Sequence, residues 1–208
     1  MILVIGNKNY SSWSLRPWLA MKVFGFEFDE RRIPLYTAGA REAILKHSSA
    51  GKVPVLIDGA TTVWDSLAIL EYLAERNRKL WPVDAAERAR ARSISAEMHS
   101  GFAHLRSHMS MNVRKRYPDK GRAPEALAEI ERVKAIWNEC RRPFLFGPFT
   151  AADAMYAPVV LRFRTYEVEL PRAGRAYMEA MLELPALQEW IAAAERETET
   201  ISAFDQYG

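Results

Sequence analysis

The sequence predicts an α+β protein in which a sheet-containing first half is followed by an all-helical second half. Two observations lead to this expectation. Short apolar runs bounded by turn signals alternate with helical spacing in the first half, and no convincing strand follows Trp64. Strands confined to one half favour two layered domains over one doubly wound sheet. We therefore expect two domains, residues 1–77 and residues 84–208.

The first domain is predicted to follow the order βαβαββα. Its elements are a strand at residues 2–5, a helix at 14–24, a strand at 27–34, a helix at 40–47, strands at 53–57 and 61–64, and a helix at 66–75. Asp58-Gly59 is a typical hairpin turn between the last two strands. The segment from Asn77 to Pro82 breaks the periodicity, which indicates a linker.

The second domain is predicted to contain helices only. Their ranges are 84–116, 124–140, 151–166 and 184–196. Pro124 suits the first turn of a helix, since it has no N–H to satisfy there. The basic triplet Arg114–Arg116 is expected at the C-terminus of the first of these helices, where cations complement the helix dipole.

Composition and charge narrow the range of function classes. Hydrophobic residues make up 49% of the chain and six residues are tryptophan, which is enough apolar surface for real cores. The net charge of +3 arises from basic residues interleaved with acids, a balance typical of a protein that binds neither nucleic acid nor a membrane. The single cysteine, Cys140, excludes an intramolecular disulfide. With no signal-peptide pattern, we expect a cytoplasmic protein.

A serine-rich loop leads into the first predicted helix, with the sequence YSSWSLR from Tyr10 to Arg16. Unpaired N–H groups and the dipole at a helix N-terminus favour an anion. A thiolate is such an anion, and a hydroxyl donor beside it would lower the thiol pKa from its ordinary value of ~8.5. The residues alone leave open whether these serines activate a thiol or only cap the helix.

Two further motifs have physical interpretations of their own. One motif consists of KVPVL, residues 52–56, followed by WDSLAI, residues 64–69. Ser66 stands at the start of a predicted helix, where its hydroxyl could help to bind a carboxylate or only cap the helix. The other is FTAAD, residues 149–153, in which Thr150 and Asp153 have the spacing of a capping box. Phe149 is placed to pack on the following turn, and Pro158 is expected to kink the helix.

The three motifs in this order resemble the cytosolic glutathione transferase family, and the serine loop is similar to that of its zeta class. The resemblance implies a thioredoxin-like first domain, an all-α helical bundle as the second, and no metal. Glutathione would be the co-substrate, a small electrophile the second substrate, and a homodimer the assembly. The implied activity is a detoxifying transferase in which a serine hydroxyl activates the glutathione thiol.

The resemblance also implies a role for individual residues. Ser11 is the expected catalytic residue, and Ser12 and Ser14 are neighbours that could assist or replace it. The glutathione-binding residues are expected to be Lys52, Val53, Pro54, Asp65 and Ser66, with a cis bond before Pro54. The electrophile pocket is expected to be formed by Trp13, Phe102, Arg106, Met109, Met111 and Tyr166. A cation at Arg106 would favour anionic substrates.

Alternatives remain open at this point. One is a glutathione-dependent isomerase of the maleylacetoacetate type, although Trp13 replaces the usual zeta-class cysteine and residues 15–18 depart from its pattern. Another is a non-catalytic interaction module. Some family members use a cysteine, but Cys140 lies in the wrong domain. His99, His104 and His108 share one predicted helix but lack the HExxH pattern of a zinc site.

Overall fold

The computed structural model describes residues 1–141 and 143–208. The described residues form a four-stranded sheet in the order β2-β1-β3-β4. Its strands are β1 (Ile2–Ile5), β2 (Asp29–Arg32), β3 (Val55–Asp58) and β4 (Thr61–Trp64). β1 pairs in parallel with β2, and β3 runs antiparallel to both of its neighbours. This is the thioredoxin-like arrangement, so the predicted fold class is confirmed.

The helices in chain order are α1 (Ser12–Val23), α2 (Ala40–Leu45), α3 (Ser66–Arg76), α4 (Ala85–Ser100), α5 (Ala103–His108), α6 (Pro124–Asn138), α7 (Ala151–Tyr166), α8 (Arg172–Leu182) and α9 (Pro185–Glu195). A short 3₁₀ turn, Arg78–Leu80, follows α3. Within the described ranges, none of these helices has the length and apolar character needed to cross a bilayer.

Successive side chains of β1 point to opposite faces of the sheet and so pack in two different cores. Leu3 and Ile5 belong to the main core, whereas Val4 packs in a smaller cluster with Ile44 of α2 and Val55 of β3. The main core is continuous across both halves of the chain, because α7 is buried on nearly all sides and packs against α1 and α4. α1, which begins at the serine loop, is thereby held in a fixed place.

The single helix predicted over residues 84–116 is wrong. α4 ends at Ser100, Phe102 adopts a left-handed backbone conformation with φ 58°, and α5 ends at His108. The basic triplet therefore does not end a helix. Arg114 instead donates hydrogen bonds to the main-chain carbonyls of Glu197 and Glu199.

α8 was not predicted, because Gly174 and flanking arginines obscure its short apolar stripe. The other predicted boundaries agree with the structure to within two residues.

The capping box at the start of α7 is confirmed. The Asp153 carboxylate accepts hydrogen bonds from the Thr150 N–H at 2.7 Å, the Thr150 hydroxyl at 2.9 Å and the Leu145 N–H at 3.0 Å. Complete burial nevertheless raises the pKa of Asp153 to about 6, because desolvation outweighs the hydrogen bonds that favour its charged form. Phe149 packs against the rings of Phe24 and Phe144.

Candidate active site between the two halves

Two neighbouring cavities lie beside the N-terminus of α1. The larger, of about 690 Å³, is bounded by the serine loop, the segment after β2, the loop after α5 and the C-terminal residues. The smaller, of about 590 Å³, lies between the segment before β3 and the start of α3. Trp13, Lys52 and Val53 line both cavities, so a ligand in one can reach the other.

The structure brings all of the predicted glutathione-binding residues together in the smaller cavity. Its walls include Lys52, Val53, Pro54, Asp65 and Ser66. The peptide bond between Val53 and Pro54 is cis, as the family resemblance implied. Residues that are distant in sequence therefore form one site.

The start of α3 carries charges of both signs. Asp65 has φ 75° and ψ 135°, a conformation that residues other than glycine seldom adopt, and such strain is concentrated at functional sites. One of its carboxylate oxygens accepts from the Leu67 N–H at 2.9 Å, and the other lies 3.4 Å from His99 Nε2. Arg16 donates to the buried Ser66 hydroxyl at 3.3 Å. This helix start could bind both the carboxylate and the ammonium group of an amino-acid moiety.

The three candidate serines occupy different environments. Ser11 and Ser12 line the larger cavity. Ser14 is fully buried, and its hydroxyl oxygen accepts from the Gly6 N–H at 3.1 Å and from the Ser11 hydroxyl at 2.7 Å. Ser11 and Ser12 are thus placed to meet a ligand, while Ser14 lies behind Ser11 and supports it.

A cluster of guanidinium groups lies next to these serines. Arg162 is buried in α7, where its Nε donates to the Met109 carbonyl at 2.7 Å and its Nη2 lies 3.4 Å from the Ser12 hydroxyl. Burial lowers the pKa of Arg162 to about 10, with a further contribution from the nearby charge of Arg106. Burial lowers the pKa of Arg16 to about 9, and repulsion from Arg162 and Arg106 adds to that shift.

Throughout the described part of the chain, no acidic side chain forms an ion pair with Arg16 or Arg162, although the charge of Asp65 partly opposes the lowering of the Arg16 pKa. Of the two, Arg162 lines the larger cavity. An unpaired buried charge is costly, so Arg162 would favour an anion that entered this cavity. Arg106 adds to this positive field, since its guanidinium lies 5.6 Å from the centre of the Trp13 ring.

Only part of the predicted electrophile pocket lines the larger cavity. Trp13, Arg106 and Met111 line it, whereas Phe102, Met109 and Tyr166 are buried in the main core. The break at Gly101 explains the difference for Phe102 and Met109, because they do not continue the face of α4.

Of the remaining candidates, Cys140 lies apart from this site. His99 of α4 lines the smaller cavity, and His104 and His108 belong to the separate helix α5, so the three histidines do not share one helix as predicted. Cys140 lines neither cavity, and its thiol donates to the Phe144 carbonyl at 3.1 Å. In the residues that the structure describes, no group of three histidine, cysteine or acidic side chains is arranged to hold a metal.

Sequence reasoning missed several cavity residues, including Tyr36, Ser110, Arg162 and Phe204, and it considered His99 only as a metal ligand. Arg162 alone gave a usable signal, because a charged residue within the apolar helix VVLRF is unusual. The other residues come from loops or from helix faces whose packing could not be read from the pattern.

Comparison with known families decides the identity. Residues 10–76 match the family model of the glutathione S-transferase N-terminal domain, and residues 84–193 match that of the C-terminal domain. The chain belongs to the glutathione S-transferase family. As a member of this family it is a glutathione-dependent enzyme, as the motifs indicated.

This transferase is similar to two proteins of the isomerase type. The probable maleylacetoacetate isomerase of Caenorhabditis elegans is 34% identical over 96 residues, which are 45% of this chain and 44% of that protein. The chain thus matches less than half the length of that relative. The maleylacetoacetate isomerase of Rattus norvegicus is 29% identical over 189 residues, 85% of each chain.

Solved structures share the fold. A glutathione transferase homologue from Burkholderia with bound glutathione superimposes with a TM-score of 0.73 and 23% identity, over 94% of this chain and 98% of that one. A bacterial maleyl pyruvate isomerase of the zeta class superimposes with a TM-score of 0.72 and 23% identity, over 96% of this chain and 100% of that one. At this level of identity the likeness establishes the fold alone.

Proposed function

We propose that this transferase binds glutathione in the smaller cavity, activates its thiol with the Ser11 hydroxyl, and joins the thiolate to an electrophile bearing a carboxylate in the larger cavity. The observation that carries this proposal is the position of the Ser11 and Ser12 hydroxyls in the larger cavity, next in sequence to Trp13, which lines both cavities. The Arg162 guanidinium, which forms no ion pair with a described acidic side chain, lies 3.4 Å from the Ser12 hydroxyl. A thiolate and a carboxylate are both anions that such a site stabilises.

The smaller cavity suits the shape and charge of the tripeptide. Its γ-glutamyl end carries a carboxylate and an ammonium group. We assign the carboxylate to Ser66 and the N-terminus of α3, and the ammonium to the Asp65 carboxylate. The main chain of Val53 would then pair with the cysteinyl unit. The thiol would thereby point toward Trp13 and the serine loop.

A relay of hydrogen bonds supports thiol activation by Ser11. The Gly6 N–H already donates to the Ser14 oxygen, and Ser11 lies 2.7 Å from that oxygen. Both groups are hydroxyls, so rotation of their protons lets Ser14 donate to Ser11 and frees the Ser11 proton for the sulfur. Each donor in such a chain strengthens the next. Ser12, polarised by Arg162, is the alternative donor.

The chemical step forms a sulfur–carbon bond between the thiolate and the electrophilic carbon. In conjugation to an α,β-unsaturated acid, the carbon–carbon π bond breaks as the sulfur–carbon bond forms, the neighbouring carbon takes a proton from solvent, and the product leaves with glutathione attached. In isomerisation the thiolate adds, a carbon–carbon bond rotates, and the thiolate is expelled, so that glutathione is regenerated. Similarity to relatives named as isomerases supports isomerisation as the alternative reaction. Consumption of glutathione in proportion to product indicates conjugation, and its full recovery indicates isomerisation.

Matched electrophiles test the proposed substrate class. Each pair consists of an α,β-unsaturated acid and its methyl ester, assayed with saturating glutathione and corrected for the uncatalysed rate of each compound. We expect kcat/KM to favour the acids by about tenfold or more, because a charge-assisted hydrogen bond contributes roughly 1.5–3 kcal/mol. Equal or reversed preference across the pairs would overturn the assignment of the guanidinium cluster.

We further propose a two-fold homodimer, with the first half of one chain facing the helices of its partner. Light scattering at micromolar concentration should give twice the chain mass. A monomeric mass under those conditions would contradict the assembly without affecting the proposed chemistry.

A further inference from the structure

The C-terminal segment, residues 197–208, forms one wall of the larger cavity. It follows α9, and Phe204 within it lines the cavity together with the serine loop. The match to the family's C-terminal domain ends at residue 193, before this segment begins.

The start of the C-terminal segment is attached to the loop that precedes Ser11. The Glu197 carboxylate has only 7% of its side chain exposed and accepts from the Lys8 N–H at 2.7 Å and the Asn9 N–H at 3.0 Å. Arg114, in the loop after α5, donates to two main-chain carbonyls of the segment. The segment thus joins two loops that both contribute to the cavity.

A second set of hydrogen bonds fixes the main chain around Phe204. The Phe204 carbonyl accepts from the Ser110 hydroxyl at 2.8 Å, and the Asp205 carboxylate accepts from the Tyr10 hydroxyl at 2.9 Å. Tyr207 donates to the His108 carbonyl at 2.9 Å. These contacts hold the main chain on both sides of Phe204 and so fix the point of the wall from which its ring extends, as a residue that selects among ligands requires.

The Phe204 ring bridges the cavity from the helical half to the sheet half. It meets the Tyr36 ring edge-on, with centroids 5.5 Å apart, and lies 5.8 Å from the Tyr10 ring. Tyr36 belongs to the segment after β2 and is 73% exposed, with a left-handed φ of 59°. An aromatic pair therefore limits the length of any ligand in a cavity that also contains Arg106 and Arg162.

We propose that the C-terminal segment selects the electrophile, with Phe204 as the specificity-determining residue. This inference rests on the proposed function and deepens it. The substrates that fit are short electrophiles whose carboxylate faces the guanidinium groups and whose apolar body ends against the Phe204 ring. Longer apolar chains are excluded by that ring.

S-alkylglutathiones of increasing chain length test the inference without knowledge of the substrate. Binding of glutathione and of its S-methyl, S-butyl, S-hexyl and S-octyl derivatives is measured by calorimetry for wild type, Phe204→Ala, Phe204→Trp and Gln206→Ala. Gln206 is the matched control, because it lies in the same segment but does not line the cavity.

We expect Phe204→Ala to shift the ratio of S-octyl to S-methyl affinity toward the longer chain by about tenfold, since added methylenes in an apolar pocket are worth roughly 10- to 200-fold. Phe204→Trp should shift the ratio the other way. Glutathione itself and the Gln206→Ala variant should be unaffected.

If both Phe204 variants have the chain-length profile of wild type, Phe204 does not limit the length of the ligand, and the proposed function is left intact. Wild-type protein that binds no glutathione would overturn the proposed function and this inference with it. If Phe204→Ala fails to fold, Phe204→Trp alone decides, because an unchanged profile in that variant contradicts the assignment.

Discussion

The N-termini of α1 and α7 share one sequence signature and serve different ends. Each helix follows a hydroxyl residue, Ser11 or Thr150, at its N-cap. At α7 the third residue of the helix is Asp153, whose carboxylate occupies the helix start from within the chain. At α1 the first turn contains no acidic residue, and Ser11 faces a cavity. At α7 the Asp153 carboxylate fills the helix start and stabilises the fold, whereas the start of α1 has no such carboxylate and stays open to a ligand.

Burial shifts the pKa of one group at each site, upward for the acid and downward for the base. It raises the pKa of Asp153 to about 6 and lowers the pKa of Arg162 to about 10, so in each case the charged form is disfavoured. Hydrogen bonds do not cancel the penalty at either site, because Asp153 accepts three and Arg162 donates three and both pKa values stay shifted. The sites differ in access: Asp153 is enclosed in the fold, whereas Arg162 lines the larger cavity, where an anion can pair with it.

Asp153→Ala should give the largest effect on stability. It leaves the buried N–H groups of Leu145 and Thr150 without an acceptor, so the free energy of unfolding should fall by roughly 2–4 kcal/mol. Thr150→Ala should lower it by about 1 kcal/mol through the lost cap. Glutathione affinity per folded molecule should stay unchanged in both variants. Urea unfolding and calorimetry provide the two measurements, and unchanged stability in both variants would contradict the capping assignment.

The titration of Asp153 should make stability depend on pH. Its folded pKa of about 6 lies above the unfolded value of ~3.9, so the folded state holds a proton that the unfolded state has released. Its contribution is therefore complete below pH ~4 and is lost as the pH rises through ~6. Relative to Asp153→Asn, wild type should lose roughly 2–3 kcal/mol between pH 4 and pH 7. A constant difference over that range would mean that Asp153 does not titrate there.

The fold could be predicted from the sequence because its signals are local. β1 is a short apolar run, β3 and β4 are joined by a two-residue turn at Gly59-Ala60, one residue later than the predicted Asp58-Gly59, and α7 begins with a capping box. Each of these depends on neighbours within a few residues. The prediction of one long helix over 84–116 failed because the helix ends at Gly101, a stop signal that the predicted pattern ran through. The domain boundary at residues 78–83 remains a prediction.

The candidate site was predictable only where a motif marks it. The serine loop and the residues at 52–54 and 65–66 were found in this way. Arg162 and Phe204 were not, because their place in the cavity depends on how α7 and the C-terminal segment pack against α1. Contacts between residues that lie 150 or 191 positions apart leave no periodic trace in one sequence.

Arg162→Met tests whether the buried guanidinium near α1 binds the carboxylate of the substrate. Without this guanidinium, the preference for acids over their methyl esters should fall about ten- to hundred-fold, while turnover of the esters changes little. Because each pair is measured on the same sample, loss of folded protein cancels in the ratio. Arg164→Met is the matched control, since Arg164 follows on the same helix but lines neither cavity. An equal loss for acids and esters would assign Arg162 to stability alone.

The pKa of the bound glutathione thiol tests the central claim most directly. It is followed by the ultraviolet absorbance of the thiolate against pH, in wild type and in variants with alanine at Ser11, Ser12, Ser14 or Thr150. If Ser11 donates to the sulfur, Ser11→Ala should raise the thiol pKa by about one to two units, and turnover at neutral pH should fall about ten- to hundred-fold. Thr150→Ala should destabilise the fold and leave the thiol pKa unchanged. A shift confined to Ser12→Ala would transfer the role to Ser12, and a thiol pKa unmoved in all three serine variants would contradict activation by a serine hydroxyl.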